Sequence, residues 1–269
     1  MKLAKQVAIA AAKKAGQLSL ERLGDVRKID YKGVANIVTD VDKACEKIII
    51  QMIRNEFPDD EILAEESGRS SGKRSDRCWL IDPLDGTTNY AHSYPFFAVS
   101  IALTENDKRV VGVVFNAVAN ELFWAELGQG AWLNDKPISV SKINTLAESL
   151  LATGFPPNTP QAQRLSMEQF KCVTAASHGV RRDGSAALDL CFVACGRLDG
   201  FWERKLAPWD TGAGALIVEE AGGVVTDLTN GTWDIEAGNI IASNGLIQNE
   251  LVAALNEKEL AKAMALAGT

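Results

Sequence analysis

The sequence of 269 residues predicts an α+β protein made of two halves, each with a β-sheet covered by helices. Three observations carry this prediction: two amphipathic helices open the chain, a series of hairpin-like β segments follows, and helices alternate with short strands in the second half. Apolar residues make up 46% of the chain, which is enough for a large core. We place the boundary near residue 148, which gives subdomains 1–147 and 148–269.

Apolar residues at helical spacing in the first half predict helices over 2–22 and 40–57. Thr39 is the expected N-cap of the second helix, and Pro58 is expected to end it. A short strand over 60–64 follows. The next β-like segments are separated by Asn, Asp and Gly, which predicts an antiparallel meander over 97–103, 109–116, 121–126 and 131–133.

The second half is predicted to begin with a strand over 150–153 and a helix over 161–174. Beyond these, apolar runs of helical and strand length alternate. They predict helices over 185–195, 209–221 and 246–265, and strands over 199–203, 224–226 and 239–243.

Composition and charge exclude several classes of protein. The formal net charge of −7 argues against a general attraction to nucleic acid. Lys13 and Lys14 interrupt the apolar N-terminal stretch, so we expect neither a signal peptide nor a membrane span there. The five cysteines are scattered and form no C-x-x-C pair, which argues against a disulfide framework or a zinc knuckle. Reduced cysteines fit a cytoplasmic protein.

The most informative segment is C-W-L-I-D-P-L-D-G-T-T-N-Y, residues 78–90. An apolar run typical of a buried strand stops at Asp82, and a second carboxylate, Asp85, follows three residues later. Pro83 fixes one backbone torsion, so we expect a turn that aims both carboxylates and the Leu84 carbonyl at one point. Such oxygens suit a hard cation such as Mg²⁺. Taken alone, D-P-L-D-G is better explained as ordinary turn chemistry, and only carboxylates elsewhere in the chain can favour the metal site.

Three further acids lie where an apolar or glycine-rich segment meets the end of a predicted element: Asp40, Glu65 and Asp210. Singly, each is more often a helix cap or a solvated acid than a ligand. Together with the two aspartates of the central segment, they predict a site for two or three Mg²⁺ ions. Such sites stabilise the attacking and the leaving oxygen of a phosphoryl displacement.

The chain resembles the inositol monophosphatase family, which belongs to the lithium-sensitive, Mg²⁺-dependent phosphatases that include fructose-1,6-bisphosphatase. The resemblance spans nearly the whole chain and depends on ordered blocks. These are A-N-I-V-T-D-V-D (35–42), L-A-E-E-S-G (63–68), W-L-I-D-P-L-D-G-T-T-N-Y (79–90), G-S-A-A (184–187) and P-W-D-T-G-A-G (208–214).

The resemblance implies a role for each matching position. Asp40 and Thr87 match the pair that activates the attacking water, with Glu65 counted as catalytic because it would hold the metal on that water. The implied metal ligands are Glu65, Asp82, the Leu84 carbonyl, Asp85 and Asp210. The implied substrate-binding residues are Asp85, Gly86, Thr87, Gly184, Ser185, Ala186, Glu203 and Asp210, with the Gly86 and Thr87 backbone N–H groups on the phosphate.

The resemblance also implies a fold and an activity. We expect the layered αβαβα sandwich of the sugar-phosphatase type, with the active site between the halves. We expect a lithium-sensitive, cytoplasmic homodimer that hydrolyses inositol monophosphate, without direct binding of nucleic acid or membrane. Fructose-1,6-bisphosphate and histidinol phosphate stay open as substrates, and so does a protein-binding role with the transcription machinery.

Two positions depart from the family's usual pattern. Gly212 stands where relatives usually have alanine or cysteine, at a cost in helix stability of about 1 kcal/mol relative to alanine. Lys205 stands where many relatives have glycine, between Glu203 and Asp210. Neither position is an expected metal ligand.

Overall fold

The computed structural model describes residues 2–25, 29–31, 37–70, 72–155 and 160–256. Helices account for a large part of this described chain. They are α1 (Lys2–Glu21), α2 (Asp40–Glu56), α3 (Thr87–Ala91), α4 (Pro160–Ala176), α5 (Ala186–Ala194), α6 (Pro208–Glu220) and α7 (Gln248–Ala254), with a 3₁₀ turn at Leu146–Glu148.

The strands form two large sheets and one hairpin. The hairpin pairs β1 (Ile29–Tyr31) with β2 (Ile37–Thr39). The eight-stranded sheet contains β3 (Asp60–Ala64), β4 (Gly68–Ser70), β5 (Arg74–Asp85), β6 (Ala98–Glu105), β7 (Lys108–Asn116), β8 (Glu121–Glu126), β9 (Ala131–Leu133) and β10 (Lys136–Ile138). The five-stranded sheet contains β11 (Leu150–Thr153), β12 (Gly179–Arg181), β13 (Gly200–Glu203), β14 (Val224–Thr226) and β15 (Ile240–Ser243).

The order of strands confirms the predicted meander and the mixed second sheet. The larger sheet runs β10-β9-β8-β7-β6-β5-β3-β4 and is antiparallel except where β3 pairs with β5. The smaller sheet runs β12-β11-β13-β15-β14, with parallel pairs at β11 and antiparallel pairs at β15.

The helices lie in three layers around these sheets. Helices α1 and α2 pack together against β5, β6 and β7 of the larger sheet. Helices α5 and α6 contact the other face of that sheet and also the smaller sheet. Helices α4 and α7 cover the outer face of the smaller sheet, where Val173 and Leu251 share a core with Trp202. This is the predicted αβαβα sandwich.

Strand β5 shows how the sequence produces this layering. Alternate side chains of a strand point to opposite faces of the sheet. Trp79 and Ile81 are buried beneath α1 and α2, whereas Leu80 is buried beneath α6. Because both faces are covered by helices, the strand reads as a continuous apolar run rather than an alternating one.

The predicted helices are confirmed in place, with ends that differ by one to two residues for most of them. The C-terminal helix ends at Ala254 rather than near 265, and the predicted residues from 257 onward lie outside the described ones. The division at 147/148 stays a prediction. None of the helices in the described ranges is long and apolar enough to cross a membrane.

The two departures from the family pattern have different structural settings. Gly212 lies in α6 with its Cα against Leu80 and Ala102, so the missing side chain lets the helix approach the larger sheet. Lys205 has a positive φ of 57°, a backbone conformation that glycine adopts more readily than other residues. Its side chain is exposed.

Gly112→Ala is expected to destabilise the protein by about 1–3 kcal/mol, because a Cβ there would lie 2.7 Å from the backbone oxygen of Ala213. Gly212→Ala is the matched control on the other side of the same interface. Its Cβ would meet a terminal methyl group of Leu80, which can shift more easily than backbone, and alanine restores helix propensity of about 1 kcal/mol. Guanidinium unfolding measures both variants, and an equal loss of stability in the two would contradict this account.

Candidate active site

A cavity of about 210 Å³ lies where the larger sheet meets the first residues of α5 and α6. The predicted metal ligands all line it: Glu65, Asp82, Leu84, Asp85 and Asp210. So do most of the predicted substrate-binding residues: Gly86, Thr87, Gly184, Ala186 and Glu203. The sequence therefore identified residues from distant segments that the fold brings together.

Glu65 and Asp82 come together because β3 and β5 are parallel. Ala64 pairs with Ile81, so the next residue of each strand lies at the same edge of the sheet. The Glu65 N–H donates to the Ile81 carbonyl, at 3.1 Å, which holds the end of β3 in place. The parallel pairing of β3 with β5 thus brings two carboxylates to the cavity.

Asp82 and Asp85 share the cavity because of a β-bulge. Residues three apart on a regular strand point to opposite faces. In β5, however, Asp82 pairs with Ser100 and Asp85 pairs with Ala98, so one extra residue is inserted on the β5 side. The chain does not turn at Pro83, as the sequence suggested; it continues in the strand through Asp85. A bulge re-aims side chains in this way.

Asp85 is held by the beginning of α5. Ser185 is the N-cap of that helix, and its hydroxyl donates to Asp85 Oδ2 at 2.6 Å. The Ala187 N–H donates to the same oxygen at 2.7 Å. Ser185 thus orients a predicted metal ligand, while its own contact with a substrate stays a prediction.

Asp210 is positioned at the beginning of α6. Pro208 occupies the first turn, and the Ala207 N–H donates to Asp210 Oδ2 at 2.7 Å. The hydroxyl of Ser100, opposite Asp82 in the sheet, donates to the Trp209 carbonyl at 3.1 Å. The second bond joins the start of α6 to β6, the strand that pairs with the one carrying Asp82.

Burial and mutual repulsion dominate the electrostatics of these acids. Burial, followed by the charges of Glu65, Asp85 and Asp210, raises the pKa of Asp82 well above its usual range. Burial and the neighbouring carboxylates do the same for Asp210. Burial raises the pKa of Asp85 to about 6, against the opposing hydrogen bonds from α5. Among the described residues, no three His, Cys, Asp or Glu side chains are grouped closely enough to hold a metal by themselves.

The partner of Thr87 is Asp42, not Asp40. The Thr87 hydroxyl lies 2.8 Å from Asp42 Oδ1 and 3.0 Å from the Leu84 carbonyl. Asp40 instead faces away and forms an ion pair with Arg22 at 3.2 Å. The sequence-based pairing of Asp40 with Thr87 is therefore wrong.

The physical reason for this correction is a capping box. Thr39 caps α2, and the side chain of Asp42, in the third helical position, returns to the Thr39 N–H at 2.9 Å. This turns Asp42 inward, where it is fully buried, whereas the Asp40 side chain is 29% exposed. The spacing T-x-x-D was the signal in the sequence that identifies Asp42.

Gly86 allows the backbone to pass close to its neighbours just before helix α3. Its φ is +98°, and a Cβ there would lie 2.9 Å from the Phe96 carbonyl oxygen. Helix α3 begins at the next residue, Thr87. The first N–H groups of a helix have no partners within it, which makes them suitable for phosphate oxygens.

The opposite wall of the cavity contains Glu203. Its carboxylate lies directly against Gly154, where any Cβ would overlap it. Burial, followed by the charge of Asp85, raises the pKa of Glu203 to about 8. Seven further residues line the cavity outside the predicted site: Thr88, Asn89, Thr153, Gly154, Arg182, Asp189 and Leu206. Of these, Thr88 and Asn89 lie in a recognised block.

Comparisons with known proteins agree with the fold and with the family that the sequence resembles. The model of the inositol monophosphatase family matches residues 2–260. The inositol-1-monophosphatase of Synechocystis is 47% identical, over 93% of this chain and 88% of its own. The Nus factor SuhB of Haemophilus influenzae is 43% identical, over 91% and 93%. The crystal structure of the extragenic suppressor protein suhB from Bartonella henselae superposes with a TM-score of 0.90, at 43% identity, over 93% and 97%.

The chain therefore belongs to the inositol monophosphatase family. The predicted enzyme class, a phosphoric monoester hydrolase, is confirmed by this membership.

The stability of the metal-free protein is expected to fall as pH rises, because of Glu203. An acid whose pKa is higher in the folded protein favours folding below its unfolded pKa, and this advantage disappears as pH rises through the folded value. For Glu203 the loss extends from about pH 4.5 to about pH 8. In EDTA, the melting temperature of Glu203→Gln should fall less steeply than that of the wild type between pH 6.5 and pH 8.5. If the melting temperatures of the two proteins fall equally steeply over this pH range, the raised pKa of Glu203 is contradicted.

Proposed function

We propose that this protein is a Mg²⁺-dependent phosphomonoesterase that hydrolyses inositol monophosphate to inositol and phosphate. The observation that carries the proposal is the convergence of Glu65, Asp82, Asp85 and Asp210 on one cavity beside Leu84. Carboxylate and carbonyl oxygens are the ligands that Mg²⁺ prefers. Burial and, after it, the neighbouring carboxylates raise the pKa of Asp82 and Asp210, and a bound cation would shift both pKa values in the opposite direction.

These five residues would hold two or three Mg²⁺ ions, with Asp82 as the shared ligand between Glu65 on one side and Asp85 with Asp210 on the other. When bound, the ions would supply activation of a water molecule and neutralisation of charge on the leaving oxygen. The donor set fits this role, because every member is an oxygen ligand without histidine or cysteine.

Asp42 and Thr87 would orient the attacking water. Asp42 accepts a hydrogen bond from the Thr87 hydroxyl, so the lone pairs of the Thr87 oxygen can accept a hydrogen bond from water. This role replaces the one that the sequence assigned to Asp40. The Gly86 and Thr87 N–H groups would hold the phosphate oxygens.

Glu203, Gly184 and Ala186 would receive the alcohol half of the substrate at the opposite wall. A cavity of about 210 Å³ suits a small polar ester rather than a large ligand. The relative named inositol-1-monophosphatase supports inositol as the alcohol. Fructose-1,6-bisphosphate and histidinol phosphate are the competing substrates for the same site.

A role with the transcription machinery is the second candidate. Relatives at 42–44% identity carry the name Nus factor SuhB, which supports a protein-binding role in addition to catalysis. The net charge of −7 favours a protein partner over direct nucleic-acid binding. Capture of RNA polymerase by a protein that releases no phosphate would reverse the order of these two candidates.

A cytoplasmic homodimer is the form that we propose for the enzyme. The stacked pair Trp124–Trp132, with ring centroids 5.3 Å apart, lies on the outer strands of the larger sheet and is partly exposed. Lys5 covers the Trp124 ring. The five free cysteines fit a reducing compartment.

Phosphate release from inositol 1-phosphate tests the activity directly. We expect turnover with Mg²⁺, inhibition by Li⁺, and none in EDTA. Asp82→Asn should abolish turnover and also the rise in melting temperature that Mg²⁺ produces, because it removes the shared ligand. In EDTA the same variant should be at least as stable as the wild type, since one buried repulsive charge is gone. Activity that persists in EDTA would refute the proposal.

Asp42→Asn is expected to lower kcat by about 10²-fold or more, because the neutral amide is a weaker acceptor for the Thr87 proton. Asp40→Asn is the matched control, two residues away in the same helical turn, and should change kcat by less than about threefold. Steady-state kinetics in saturating Mg²⁺ compares them. A larger loss in the Asp40 variant would restore the original sequence-based pairing.

A further inference from the structure

Glu46 is a buried carboxylate on α2 that the proposed mechanism does not use. It is 4% exposed and lies one helical turn after Asp42, on the same face of the helix. Its Oε2 accepts a hydrogen bond from the Glu66 N–H at 2.7 Å. Glu66 directly follows Glu65, a proposed metal ligand. This contact therefore connects α2 to the backbone beside that ligand.

Glu65 differs from the other proposed carboxylate ligands in where the chain places it. Asp82 and Asp85 lie in β5, and Asp210 lies in α6, so the regular structure around them holds their backbone. Glu65 lies just after the end of β3, in the turn that leads to the edge strand β4. Because turns are held less firmly than strands and helices, this ligand depends more on contacts from other elements.

Both peptide groups next to the Glu65 Cα are held by such contacts. The Glu65 N–H, in the peptide group before this Cα, donates to the Ile81 carbonyl of β5 at 3.1 Å. The Glu66 N–H, in the peptide group after it, donates to Glu46. Only the φ and ψ torsions of Glu65 separate the two groups, because peptide groups are planar. Holding both groups therefore fixes the direction in which the Glu65 side chain leaves the backbone.

Completing the hydrogen bonds of the turn does not by itself explain a buried acid at position 46. Water or a neutral side chain could accept the bond from the Glu66 N–H. Burying a carboxylate is costly, and Asp42 is a second buried acid four residues away, at a spacing where like charges on a helix repel. A charged acceptor does, however, form a shorter and stronger hydrogen bond than a neutral one. The acid at this position thus holds the turn more firmly.

We propose that Glu46 is a positioning residue that orients Glu65 for metal binding through the Glu66 N–H. This inference rests on the proposed Mg²⁺-dependent function. Helix α2 then holds two parts of the site: Asp42 accepts from the Thr87 hydroxyl at 2.8 Å, and Glu46 holds the backbone beside Glu65. Because both acids lie on one helix, their spacing sets the metal ligand relative to Thr87.

Two substitutions separate the hydrogen bond from the charge. Glu46→Met keeps a long side chain of similar helix propensity but removes the acceptor. Glu46→Gln removes the charge and keeps an acceptor oxygen. The probe is Mn²⁺, which takes the same oxygen ligands as Mg²⁺, and electron paramagnetic resonance measures its binding without substrate.

Metal affinity is expected to follow the hydrogen bond. The dissociation constant of a bound Mn²⁺ should rise about 10-fold or more in Glu46→Met, as is typical when a residue that supports a metal ligand is removed. In Glu46→Gln it should rise less than about threefold, because the amide oxygen still accepts. Lys47→Met is the matched control, since it places the same side chain at the next, exposed position of α2, and should leave the affinity unchanged.

A double-mutant cycle shows whether Glu46 acts through Glu65. Glu65→Gln alone should weaken Mn²⁺ binding, and adding Glu46→Met should cause little further loss, because the ligand that Glu46 orients is already impaired. Equal losses from Glu46→Met in both backgrounds would overturn the inference. An equal loss of affinity in Glu46→Gln and Glu46→Met would also overturn it, and so would a Glu46→Met variant that loses melting temperature but keeps the wild-type affinity.

The same measurements separate this inference from the proposed function. If the wild type binds Mn²⁺ and releases phosphate from inositol 1-phosphate, but its metal affinity is insensitive to Glu46→Met, only the inference is overturned. A wild type that binds no Mn²⁺ and releases no phosphate with Mg²⁺ would overturn both. If Glu46→Met does not fold, Glu46→Ala is measured in its place, with the same outcomes decisive.

Discussion

The structure depends on the repulsion among carboxylates buried around one cavity. Asp82 and Asp210 have strongly raised pKa values because burial and neighbouring charges act in the same direction. Such a group of acids is costly in a folded protein unless hydrogen bonds or a cation compensate it. The surrounding elements supply the first kind of compensation, through the N–H groups of Leu84, Ala187 and Ala207. The proposed Mg²⁺ ions would supply the second.

Sequence reasoning grouped residues that line one cavity because they lie at the ends of strongly apolar segments, which are easy to recognise. The local geometry was harder to predict from the sequence. Asp82-Pro83-Leu84-Asp85 looks like a turn, yet backbone pairing with β6 keeps it in the strand as a bulge. Asp40 and Asp42 are both plausible as the inward acid, and only the capping of α2 by Thr39 decides between them. Asp189, which lines the cavity, was not among the predicted site residues, because an acid in the first turn of a helix is common.

The layer formed by α5 and α6 brings both halves of the chain to one cavity. These helices pack between the two sheets, and their first residues border the cavity. Small residues make this possible: Gly112 and Ala213 bring β7 and α6 into backbone contact. This close packing holds α6, whose first turn carries Asp210, against the larger sheet.

The hydrogen bonds that Asp85 accepts from Ser185 and Ala187 have a mechanical consequence. They join the last residue of a strand to the first turn of a helix about a hundred positions later in the chain. A proton or a cation on this carboxylate would therefore also change the strength of these two hydrogen bonds between β5 and α5. The strength of these hydrogen bonds is therefore linked to what binds in the cavity. A cation bound by Asp85 would change how firmly the start of α5 is held to β5.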